Sequence, residues 1–257
     1  MSSATVAALL DQLVGWAGSV EWIDWLEVGG SLGRGAGDEL SDIDAGIGVV
    51  DDGVPIAGRV AAALRSAGDF APVADSIVQD LDGRAHLIVV YADGRQLSLV
   101  VVPASVREGL PPQSLALLDR SGRLSRALPA KRWAPDPATL RDWAFEAWIG
   151  VGDAARHAMR GNSWRALRSL TEARDLTWQL WAATRDVPYP AFGAVSVTNA
   201  GLDAPDGMTA THPAALDRPA ILDSARALAA VLRDVTSGHG VNGVATVIES
   251  RLESKNL

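Results

Sequence analysis

The sequence predicts an α+β half followed by an all-helical half, and three observations carry that expectation. Residues 1–127 mix helix-period and strand-period segments, and they contain a hairpin signal at Asp93-Gly94. The stretch LPAKRWAPDP (128–137) holds three prolines and reads as a linker. From 138 to 257 apolar residues recur mainly at helical spacing.

In chain order, Val6, Leu9, Leu10, Leu13, Val14 and Ala17 are spaced as an amphipathic helix over 3–17. VEWIDWLEV (20–28) and SDIDAGIGVV (41–50) read as strands on either side of a glycine-rich turn. Pro55 is placed to start a helix over 55–67. FAPVADSIVQDL reads as a strand, AHLIVVYADGRQLSLVVVP as two strands joined at Asp93-Gly94, and LALLDRSGRL (115–124) as a small strand–turn unit. In the second half, helices are expected at 138–159, 163–183 and 218–235, the last capped by Asp217 with Pro219 in its first turn. GVATVIESRLE gives a short fourth helix, and 186–216 reads as a long loop. The tryptophans of this half (Trp143, Trp148, Trp164, Trp178, Trp181) are expected in its core.

Composition narrows the function classes. A formal charge of −8 disfavours a broad nucleic-acid footprint, which needs a basic surface. The absence of cysteine excludes disulfides, thiolate zinc sites and cysteine nucleophiles. The first residues lack a basic segment and a cleavage site, and no apolar run reaches spanning length, so a cytoplasmic location without a membrane partner is expected. The histidines (His86, His157, His212, His239) match no metal spacing and read as structural or solvated. RDVTSGH (233–239) fits the loose Arg-x₅-His pattern of helical RNases, but Gly238 and Gly240 mark a helix end there.

The chemistry concentrates in VGGSLGRGAGDELSDIDAGIGVV (28–50). Asp42 and Asp44 are two apart in a strand, so they share a face. Adjacent carboxylates repel, and a hard divalent cation such as Mg²⁺ relieves that while keeping positions open for substrate phosphates. An isolated Asp-x-Asp is also compatible with a solvated strand start, with Ser41 capping a turn. Gly29 and Gly30 allow close backbone approach, Ser31 offers a hydroxyl donor, and Arg34 offers a fork-shaped cation to phosphate oxygens. The stretch contains no Gly-Lys-[Ser/Thr] and no G-x-G-x-x-G, so neither a P-loop nor a dinucleotide fingerprint applies.

GGSLGRGAGDELSDIDAGI resembles the signature of the DNA polymerase β-type nucleotidyltransferase superfamily: Gly-Ser, about ten residues, then a hydrophobic-flanked Asp-x-Asp. GSLGR followed by SDID is most similar to the antibiotic and small-molecule members, such as the kanamycin and lincosamide enzymes. The resemblance implies a mixed-sheet nucleotidyltransferase domain with flanking helices, then a helical bundle. It implies that Gly30, Ser31 and Arg34 hold a nucleoside triphosphate such as ATP, and that Asp42 and Asp44 act in catalysis as ligands of one or two Mg²⁺ ions. A small-molecule hydroxyl would attack the α-phosphorus and release pyrophosphate, and a homodimer is compatible with the family.

One position departs from the pattern. The family commonly supplies a third carboxylate from a later strand, and the matching position in QLSLVVVP is Ser98. Three readings follow: a base from elsewhere, with Glu146 of the helical half as the candidate; catalysis by positioning alone; or a nucleotide-binding protein without turnover. Transfer onto a protein is a further alternative.

Overall fold

The computed structural model describes residues 5–129 and 133–254. They fall into two compact units, Met1–Ala130 and Lys131–Leu257. The first is α+β and the second all-α, as the pattern of periods predicts.

The first unit runs α1 (Val6–Ser19), β1 (Ile23–Val28), a single helical turn α2 (Gly30–Gly33), β2 (Ile43–Val49) and α3 (Ile56–Phe70). Strands β3 (Val73–Asp80), β4 (Ala85–Tyr91), β5 (Gln96–Pro103) and β6 (Leu115–Asp119) complete it. The six strands form one sheet in the order β3-β4-β5-β2-β1-β6. Among the described strand pairs of this sheet β2–β5 alone is parallel, and the helix α3 and the β3–β4 hairpin supply its crossover.

Strand alternation divides the sheet into two chemically different faces. Ile43, Ala45 and Ile47 of β2, Leu97, Leu99 and Val101 of β5, and Leu87 and Val89 of β4 are buried in one core. Leu9 and Leu13 of α1 and Val60 and Ala63 of α3 belong to the same core. Each large aliphatic side chain buried there contributes roughly 1.5–3 kcal/mol. On the opposite face, Trp25 lies against Gly48 and its indole N–H donates to the Ala104 carbonyl at 3.1 Å. Trp25, Val102, Ala104 and Leu124 form a small second core at one end of that face. The other end carries the polar groups described below.

The hairpin at Asp93-Gly94 forms, with one residue more in its loop than a tight two-residue turn. The Tyr91 N–H donates to the Arg95 carbonyl at 2.9 Å, and Gly94 takes a left-handed φ of +87°. The register that follows pairs Val90 with Gln96 and Ile88 with Ser98.

The second unit contains α4 (Pro137–Met159), α5 (Ser163–Thr184), α6 (Ala194–Asn199), α7 (Arg218–Val235) and α8 (Asn242–Glu253). Asp136 and Asp217 cap α4 and α7, accepting from the backbone N–H groups of Thr139 at 2.7 Å and Ala220 at 2.9 Å. Gly150 lets α4 approach α5 closely, since a Cβ there would sit 2.9 Å from that of Ala173. Two expectations change. The 186–216 segment is not a bare loop: it contains α6 and tight turns at Pro190–Phe192 and Met208–Thr211, with Val197, Met208 and Thr211 buried. Trp164 is 75% exposed and not in the core, whereas Trp148 is fully buried and Trp143, Trp178 and Trp181 pack on the core edge. In the segment matching the RNase pattern, Arg233 is paired with Glu249 and His239 lies beyond the end of α7. Among the described residues, no helix is long and apolar enough to cross a membrane.

Candidate active site

Strand β1 delivers the chain into Gly29-Gly30, and the Gly29 N–H donates to the Asp44 carbonyl at 2.8 Å. This bond ties the turn to β2. Gly30 has a φ of +59°, and a Cβ there would lie 3.1 Å from Asp44 Cγ and closer still to Oδ2. The glycine is therefore required twice, by its own backbone and by the carboxylate resting on it. The α2 turn closes through the Gly33 N–H donating to Gly29 at 2.7 Å and the Arg34 N–H donating to Gly30 at 3.3 Å. Ser31 Oγ within it is buried and has no hydrogen-bond partner among the described residues.

The chain returns to the sheet through a turn held by Asp38 and Ser41. The Ser41 hydroxyl bonds to Asp38 Oδ1 at 3.0 Å, and the Asp38 N–H donates to Ser41 Oγ at 2.9 Å. Ser41 is thus a turn residue. Asp42 follows it, exposed, and Asp44 enters β2 half-buried on the same face. Burial pushes the Asp44 carboxyl above its ordinary range, and the neighbouring Asp42 charge pushes it further. A hydrogen bond from Ser98 and the charges of His86 and Arg34 offset part of this.

Ser98 lies directly beside Asp44 in the parallel β2–β5 register. Its Oγ is 2.8 Å from His86 Nε2, and His86 Nδ1 is 3.2 Å from Gln79 Oε1. Instead of standing apart as an unattached histidine, His86 is hydrogen-bonded into this group. The sequence carried a signal for it, because His86 shares a strand face with Ile88, the residue opposite Ser98. Reading that signal required the hairpin register.

A cleft of about 350 Å³ runs from Asp44 and Ser98 toward Trp25 and Val102. Glu27, missed by the sequence reading, lies along it on β1 opposite Gly46, and Arg107 is its partner. The Arg107 Nε–H donates to Glu27 Oε1 at 2.9 Å. Burial raises the Glu27 carboxyl, and Arg107 pulls it back down.

Gly30, Arg34, Asp42 and Ser98 are thus grouped around Asp44, and Ser31 follows Gly30 in the α2 turn. Glu146 is on α4 in the second unit, exposed beside Asp153, Glu172 and Asp175 along an acidic groove. Among the described residues no group of three or more His, Asp or Glu forms a metal site. A two-carboxylate set suits Mg²⁺, which keeps waters and takes substrate phosphates to complete its shell. The unpartnered Ser31 hydroxyl and the mutual repulsion of Asp42 and Asp44 fit a metal-bound triphosphate.

No family model matches the sequence, and no curated protein matches it. Solved structures similar to the chain over most of its length include the following two. One is an aminoglycoside 6-adenyltransferase from Bacillus subtilis, 14% identical, covering 95% of this chain and 96% of its own, with a TM-score of 0.42. The other is a nucleotidyltransferase-like protein from Exiguobacterium sibiricum, 14% identical, covering 98% and 85%, with a TM-score of 0.37.

Proposed function

We propose that this chain is a Mg²⁺-dependent nucleotidyltransferase that moves a nucleoside monophosphate, AMP, from a triphosphate to a hydroxyl of a small molecule. The observation that carries this reading is the Asp44 carboxylate. It rests on Gly30 and is raised by burial and by Asp42, and the residue after Gly30, Ser31, has a buried hydroxyl with no partner among the described residues. Asp42 and Asp44 would hold the metal, which supplies charge neutralisation at the transferring phosphoryl group. Ser31 donates a hydrogen bond to the triphosphate, Gly30 leaves it room, and Arg34 offsets its charge. The replacement of the family's third carboxylate by Ser98 favours a second reading, a nucleotide-binding regulator without turnover.

Calorimetry with ATP in the presence and absence of Mg²⁺, alongside pyrophosphate release over a panel of hydroxyl acceptors, tests the proposal. The panel includes aminoglycosides, because the motif is most similar to the antibiotic enzymes. Mg²⁺-dependent ATP binding with acceptor-dependent pyrophosphate release is the expected result. Binding without release on any acceptor supports the regulator, and no ATP binding removes both readings.

A further inference from the structure

We propose that Ser98 and His86 together replace the missing third carboxylate: Ser98 takes the proton of the acceptor hydroxyl and passes its own to His86. The inference rests on the nucleotidyltransferase reading and assigns its proton acceptor.

The argument starts from hydrogen-bond capacity. An amide oxygen only accepts, so the Gln79 Oε1 contact at 3.2 Å fits the tautomer that carries its proton on His86 Nδ1. In the neutral ring that leaves a lone pair on Nε2, and this nitrogen is 2.8 Å from Ser98 Oγ. Ser98 has one proton and two acceptors within reach, the Asp44 carboxylate and His86 Nε2. Serine alone cannot hold a further proton at neutral pH, whereas an imidazole nitrogen with a free lone pair can. Gln79 on β3 and Ser98 on β5 flank the ring, Asp44 on β2 lies beyond Ser98, and Arg84 in the turn before β4 lines the same cleft.

In the step itself the acceptor oxygen bonds to the α-phosphorus, the bond from that phosphorus to the bridging oxygen breaks, and pyrophosphate leaves. The acceptor's proton moves to Ser98 Oγ as the serine proton moves to His86 Nε2. Ser98 ends unchanged, and His86 ends as the imidazolium. Ser98 is the catalytic residue, and His86 is a positioning residue that acts through it.

Two measurements on the full chain test this. The first is ¹⁵N NMR of the neutral His86 ring, assigned by the loss of its signals in His86→Gln. A proton on Nδ1 is expected, and a proton on Nε2 overturns the relay because that nitrogen then has no lone pair. The second is the pH profile of pyrophosphate release. His86→Gln should lower release about 100-fold, the low end for loss of acid–base catalysis, and change the acid limb of the profile. The double variant His86→Gln with Ser98→Asp should recover most of the rate, since a carboxylate at 98 no longer needs the imidazole. A His86→Gln variant with the parent rate and profile overturns the proposal. Absence of release by the unaltered chain would sink the nucleotidyltransferase reading and the relay with it. An Nε2-protonated ring in a chain that turns over sinks the relay alone.

Discussion

Glu27 and Asp44 stand on neighbouring strands of the same open sheet face, and they are treated in opposite ways. Both carboxyls are raised chiefly by burial. For Glu27 the chain supplies a cation: Arg107 donates to Oε1, and its guanidinium sits 5.8 Å from the centre of the Trp25 ring. For Asp44 the next contribution is a second negative charge, Asp42, and the offsets are a hydroxyl, a histidine and Arg34 acting through space. A buried charge answered by the chain's own cation belongs to the architecture. A half-buried charge placed beside a like charge is the one that a cation from solution would relieve, which is why the proposed function places the metal at Asp44 and not at Glu27.

The largest effect that would break the comparison is on activity. Asp44→Asn should lower pyrophosphate release by about 10³-fold or more, in the range for losing an electrostatic stabiliser of a transferring group. The same variant should keep or raise the melting temperature, because a like-charge repulsion disappears. Release at the parental rate, or a fall in melting temperature, contradicts the assignment of Asp44.

Next in size is the structural pair. Arg107→Ala leaves Glu27 buried without its cation and should cost about 3 kcal/mol, read as a lower urea midpoint. The low end of that range applies because Arg107 is about a third exposed. A loss below about 0.5 kcal/mol would make Glu27–Arg107 an ordinary surface pair.

The smallest effect is the pH dependence of metal stabilisation. Asp44 is raised in the folded chain, so its contribution to stability is full below the unfolded carboxyl value near 4 and is lost as pH rises through the folded value. Above the folded value the whole cost is present, and Mg²⁺ with ATP should relieve it. The expected melting-temperature rise is about 2–4 °C per kcal/mol of stabilisation for a chain of this size, and it should fade toward pH 4 as Asp44 protonates. An equal rise at both pH values would show that the ligand binds elsewhere.

Much of this was legible in the residues. Asp42 and Asp44 share a face because strands have a period of two, and α1, α3, α4, α5 and α7 follow their apolar spacing closely. Ser98 was placed beside Asp44 by its match to the family pattern, and the parallel register puts it there. His86 was not legible, for a geometric reason. A two-residue loop at Asp93-Gly94 would pair Ala92 with Arg95 and shift the β4–β5 register by one, moving His86 to the face opposite Ser98. The observed loop pairs Ile88 with Ser98 and brings His86 onto the same face. Arg107 was equally hidden, since it is 80 residues from Glu27 along the chain and lies just after β5. Trp164 misled because its helical spacing fits the apolar set although its side chain points out.

Gly30 ends the account with a constraint on how such a site can vary. Its missing side chain makes the space that Asp44 Oδ2 occupies, and its backbone opens the turn that holds Ser31. The turn that holds Ser31 and the carboxylate of Asp44 therefore meet at one atom, the Gly30 Cα. A side chain there would disturb both at once, so under the proposed function a Gly30 substitution should lower nucleotide and metal affinity together.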